Sequence, residues 1–147
     1  MALKEDVTIL AALPVFRPFP EEALRLLAFS SESRILRSGD LLIRAGVPSD
    51  GAYLVRTGRI RIIRQDVPGD LMVESGTLIG ESGLIIDNEF RFTAMAVEAS
   101  SVLHIPRASV RKVLQEFPSA AEELRRDILE RLQDIGSRIA RISEKLG

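Results

Sequence analysis

The stretch Leu78-Ile79-Gly80-Glu81-Ser82-Gly83-Leu84-Ile85-Ile86-Asp87-Asn88-Glu89-Phe90-Arg91-Phe92-Thr93-Ala94 decides how this chain is read. A glycine ends a β-rich segment, a short helical turn is expected from Glu81, and an arginine follows ten residues later at a strand start. Backbone N–H groups of such a turn, from Ser82, Gly83 and Leu84, can face one anion, because a helix start leaves donors unpaired. Arg91 can meet the same anion with a bidentate fork. A Gly-Glu pair alone has no diagnostic value; its weight depends on the surrounding chain.

Outward from this turn, residues from about 33 to 105 read as β. Arg59-Ile60-Arg61-Ile62 alternates polar and apolar, as a half-buried strand does. Short β-rich segments are expected at Ser33–Leu36, Leu41–Arg44, Ala52–Val55, Arg59–Arg64, Leu71–Glu74, Phe90–Val97 and Ser101–Ile105. Turn-forming clusters separate them, among them Ser38-Gly39-Asp40, Pro48-Ser49-Asp50-Gly51 and Val67-Pro68-Gly69-Asp70. Many short strands with regular turns predict a small antiparallel barrel or sandwich rather than a parallel sheet.

Helical patterns flank this region. From about 6 to 29, Ile9, Leu10, Leu13, Leu24, Leu26 and Leu27 recur at helical spacing, with Pro14, Pro18 and Pro20 dividing the run. Pro20-Glu21-Glu22 marks a helix start. Beyond about 106, Pro106 opens a helix and Pro118 closes it, and Ser119 with Glu122 forms a capping box for a second, long helix. Along that helix Ile128, Leu132, Ile135, Ile139, Ile142 and Leu146 fall at 4-3-4-3-4 spacing, with six acids balancing six bases from Glu122 to Lys145. A seam this regular predicts a homodimer interface; packing on the chain's own β region is the alternative. The fold class expected is thus α+β in one domain of 147 residues.

Composition excludes several classes. Without cysteine there is no disulfide framework, no thiolate nucleophile and no cysteine-bearing zinc site. Twenty basic residues face twenty-one acidic ones, so bulk charge does not favour nucleic acid. No apolar run has bilayer length and no secretory leader is visible, which implies a cytoplasmic protein away from membranes. From Arg34 to Arg64, seven arginines meet two aspartates. That block is read either as a solvated strand face or as an anion patch. The single histidine, His104, alternates with apolar neighbours, which predicts the exposed face of an edge strand. With no partner serine, cysteine or metal-ligand set, it makes no catalytic constellation, so an enzyme is not expected and no metal or cofactor is implied.

Taken in order, these landmarks resemble the cyclic-nucleotide-binding domain of the catabolite activator and cAMP-dependent kinase regulatory-subunit type. Leu13-Pro14-Val15-Phe16 and Pro20 to Leu24 resemble its N-terminal helices, and Arg37 to Gly46 its first hairpin. Gly46 and Gly58 keep its twelve-residue glycine spacing, and Ile79-Gly80-Glu81 resembles the approach to its phosphate-binding cassette. Ile105 to Pro118 and the last helix resemble its hinge and its dimerising helix. The resemblance implies a jelly roll and a ligand, cAMP or cGMP, at Gly80, Glu81, Ser82, Gly83, Leu84, Arg91, Phe92 and Thr93. It implies Glu81 on the ribose hydroxyl and Arg91 on the cyclic phosphate.

Counting along the cassette gives two registers. Forward from Gly80, Arg91 takes the family's arginine position, followed by Phe92 where a small residue is usual. Backward from Ala96 and Glu98, that position falls on Phe90. A one-residue slip swaps the faces of a strand. Either a bulge keeps Arg91 in the pocket, or Phe90 and Phe92 fill it. The function expected is a regulatory domain with weak or absent nucleotide binding, and the alternative is a true sensor signalling to a partner protein through its last helix. The chain stops at Gly147 without a recognition helix, so sequence-specific DNA binding is not expected.

Overall fold

The computed structural model describes residues 2–130. Helix α1 (Ala2–Ala11), a 3-10 turn at Pro14–Phe16 and α2 (Glu21–Phe29) come first. Strands β1 (Glu32–Leu36), β2 (Leu41–Ile43), β3 (Gly51–Thr57), β4 (Ile60–Arg64), β5 (Leu71–Val73) and β6 (Leu78–Ile79) follow. A second 3-10 turn, Glu81–Leu84, leads to β7 (Phe92–Ala96), β8 (Ser100–Pro106), α3 (Arg107–Glu116) and α4, residues 118–130.

The strands form two antiparallel sheets, ordered β1-β8-β3-β6 and β2-β7-β4-β5. Strands β3 and β8 sit at the centre of the first and are buried on both faces. Ala52, Leu54, Leu103 and Ile105 point to the helices, where Leu10, Phe16, Leu27 and Val110 complete one core. Tyr53, Val55 and Val102 point to the second sheet, where Ile43, Ile60, Ile62, Phe90, Ala94 and Ala96 complete the other. Burial on both faces explains why β3 reads as a continuous apolar run rather than an alternating one. The α+β jelly roll expected from the sequence is the observed architecture.

Three expectations are corrected. His104 is not on an exposed edge: it is 4% exposed, on a central strand, stacked on Tyr53 at 4.9 Å, with Nε2–H donating to Asp50 Oδ1 at 2.9 Å. A carboxylate at the strand end and an aromatic neighbour let the ring be buried. Ser119 does not cap α4, because helix already includes residue 118 and the Phe117 carbonyl takes the first bond, from Ala121 N–H at 3.2 Å. Pro118 occupies the first helical position, where its missing N–H costs nothing. Finally, the strand expected from Phe90 begins at Phe92. The β-rich segment expected to end at Gly80 is β6, only two residues long. Leu132, Ile135, Ile139, Ile142 and Leu146 lie outside the described residues. Ile128 is half-buried against the helix-side core.

Candidate functional site

Gly80 adopts φ +78°, a left-handed conformation that glycine takes without penalty, and turns the chain from β6 into the 3-10 turn. A side chain here would also press on the Phe90 ring, 3.1 Å from an added Cβ. Gly83 is buried so tightly that a Cβ would lie 2.3 Å from Ser49 Oγ and 2.5 Å from the Gly51 carbonyl. The turn is thus wedged against the β2–β3 loop. Gly83 N–H donates to the Gly80 carbonyl at 2.9 Å, so at most two of the three expected donors are left for an anion. Leu84, 1% exposed, belongs to the helix-side core, and Thr93 Oγ1 accepts from Ala45 N–H at 3.2 Å.

Beyond the turn, the register of β7 decides what enters the barrel. Ala96 pairs with Ile60, Ala94 with Ile62 and Phe92 with Arg64, and Ala94 and Ala96 are fully buried. The inner face of β7 therefore carries Ala96, Ala94 and Phe92. Phe90, just before the strand, is 8% exposed, packs in the inter-sheet core and meets Phe92 edge-to-face at 5.8 Å. Arg91 is exposed and makes no ion pair with any described residue.

A cavity of about 280 Å³ nonetheless lies between the turn and this segment, lined by Gly80, Ser82, Phe90, Arg91 and Phe92 with Ser49, Asn88 and Glu89. Of the expected site residues, four line it: Gly80, Ser82, Arg91 and Phe92. Glu81, Gly83, Leu84 and Thr93 do not. Its volume falls just under the usual range for small-ligand pockets, roughly 300–1,000 Å³. Two phenylalanines take part of its wall, and Glu89 adds a carboxylate to the lining, which opposes an anion.

Sequence reading missed the side chain that fixes this turn. Arg107, the first residue of α3, donates from Nη1 to the carbonyls of Ser49 (2.9 Å), Gly83 (3.1 Å) and Ile86 (3.3 Å), and from Nη2 to Asp87 Oδ1 at 3.4 Å. Its own N–H donates to the Asp50 carbonyl at 2.6 Å. Turn, β2–β3 loop and α3 are thereby held by one guanidinium. No sequence signal marks it, since a lone arginine after proline carries no motif. The basic block from Arg34 to Arg64 is largely paired: Arg34 with the Tyr53 hydroxyl, Arg56 with Asp6, Arg59 with Glu74 and Arg61 with Asp70.

Comparisons with known proteins agree with the fold. Residues 33–117 match the family described as cyclic nucleotide-binding domain. A cyclic nucleotide-binding-like protein from Brucella abortus is 34% identical, with a TM-score of 0.69 over 76% of this chain and 98% of that one. The N-terminal domain of a transcriptional regulator from Streptomyces coelicolor is 26% identical, with a TM-score of 0.78 over 88% of this chain and 95% of that one. Among curated relatives, a cyclic nucleotide-gated potassium channel from Rhizobium etli is 27% identical over 123 residues, 84% of this chain and 34% of the channel. The chain spans less than two thirds of the length of each of the first curated relatives. No helix among the described residues is long and apolar enough to cross a membrane.

Proposed function

Because the chain belongs to the cyclic nucleotide-binding domain family, we propose that it is a dimeric, cytoplasmic regulatory module whose phosphate position is filled by its own side chains. On this reading cAMP and cGMP bind weakly, and signals pass to a partner protein through the C-terminal helix. The observation that carries the reading is Phe90. It lies six residues before Ala96, is buried between the sheets, and leaves Arg91 exposed. A cyclic phosphate taken out of water without a cation loses a charge-assisted contact of about 1.5–3 kcal/mol. At about 1.4 kcal/mol per tenfold, that is roughly one to two powers of ten in affinity.

The competing reading, a true cAMP or cGMP sensor, draws on Arg91 lining the same cavity as Gly80 and Ser82. Two substitutions separate them in calorimetric titration with cAMP. Phe90→Arg restores a cation at the interior position and should tighten binding at least tenfold, while Arg91→Gln should leave the weak wild-type isotherm unchanged. Loss of binding in Arg91→Gln, with no gain in Phe90→Arg, would establish the sensor instead.

A further inference from the structure

The inner face of the second sheet holds a cation that the cassette does not include. Along β4, Ile60 is 0% exposed and Ile62 8%, and both point between the sheets. Arg64 is the next residue on that same face, because side chains alternate along a strand. The register agrees, since Arg64 stands directly opposite Phe92 just as Ile62 stands opposite Ala94. Its Nε is buried and meets no hydrogen-bond partner. Neighbouring arginines Arg56, Arg59 and Arg61 each have a carboxylate partner; Arg64 has none among the described residues. Beside it the face is apolar but open: Leu71, paired with Ile62 on β5, is 47% exposed, although its buried partner shows that it points inward.

A half-buried guanidinium without a counter-charge, set among apolar side chains, suits an anion that brings its own apolar body. We propose that Arg64 is the anion-binding residue of the barrel's inner face, taking an amphipathic monoanion such as an aryl phosphate or carboxylate whose body lies over Phe92 and Leu71. This rests on the reading that Phe90 has closed the cassette, since that closure moves the charge requirement from Arg91 to the rung formed by Arg64 and Phe92.

Phenyl phosphate and benzoate, titrated calorimetrically into the intact chain at low and moderate salt, test it. Wild type should bind at least one of them, more weakly as salt rises. Arg64→Gln should lose tenfold or more in affinity, Arg64→Lys less, and Arg91→Gln should stay within twofold. Thermal melts of each variant verify that the fold is kept. No binding of either probe to wild type overturns the inference, as does loss in Arg91→Gln with retention in Arg64→Gln. A folded wild type that ignores both probes but melts higher than Arg64→Gln would show that the cation serves the protein itself, which also overturns it. If Phe90→Arg gains cAMP affinity while both probes fail, the closed-cassette reading stands and only the Arg64 assignment falls.

Discussion

Asp6, on α1, is buried against Arg56 of β3, with Oδ1 3.1 Å from Nε and side chains 8% and 17% exposed. Burial raises its pKa above the ordinary value of 3.8, outweighing the attraction of Arg56, while Glu5 raises it further. The folded state therefore holds the proton more tightly than the unfolded chain. The resulting stability is fully present below the unfolded value and is lost as pH rises through the folded one. Asp6→Asn removes that loss. Its melting temperature relative to wild type should rise from the acid side of the window to neutral pH, as a pair of thermal melts would read. An advantage that shrinks on going to neutral pH would mean that the ion pair with Arg56 outweighs burial. This residue also shows what single positions conceal. Asp6 reads as an ordinary acid near a helix start, and only the contact with Arg56, fifty residues away, makes it a buried partner.

At the scale of elements, the joint between the cassette turn and α3 depends on Arg107, whose side chain is 13% exposed. Arg107→Ala leaves the carbonyls of Ser49, Gly83 and Ile86 without their donor, and should cost about 1.5–3 kcal/mol in urea unfolding. Arg107→Lys should recover less than half, because an ammonium cannot reproduce the planar fork. A loss within about 0.5 kcal/mol of wild type would show that the turn is held by packing alone. The strands themselves were largely legible, since alternation in Arg59 to Ile62 and the turn clusters around Gly39 and Gly69 are local signals. Less legible were features set by distant partners. The shortness of β6 follows from its two pairings with Leu54 and Tyr53, and His104 is buried because Asp50 comes to its ring. The start of α4 was misplaced because Ser119 and Glu122 fit a capping box, whereas Pro118 fits the first turn better. In the site, the two registers could be counted in the sequence, but only pairing of β7 with β4 puts Phe90 inside and Arg91 out.

For the whole molecule, the two-core jelly roll accounts for residues through the start of α4, and the seam is the contact proposed for a dimer. Ile128, only partly buried, packs on the helix-side core, and the proposed dimer contact runs from it through Leu132, Ile135, Ile139, Ile142 and Leu146. Burying isoleucine and leucine there is worth about 2–5 kcal/mol for each residue truncated to alanine. Ile135→Asp with Ile139→Asp should therefore convert a dimer to a folded monomer in light scattering. A wild type already monomeric at about tens of micromolar, roughly the range of a weak association, would place the seam within its own chain. The central claim is that Phe90 has replaced the phosphate cation, and wild-type titration with cAMP and cGMP tests it most directly. Isothermal calorimetry should give dissociation constants weaker than about 100 µM, or no heat at all; a submicromolar constant for either nucleotide would contradict the account.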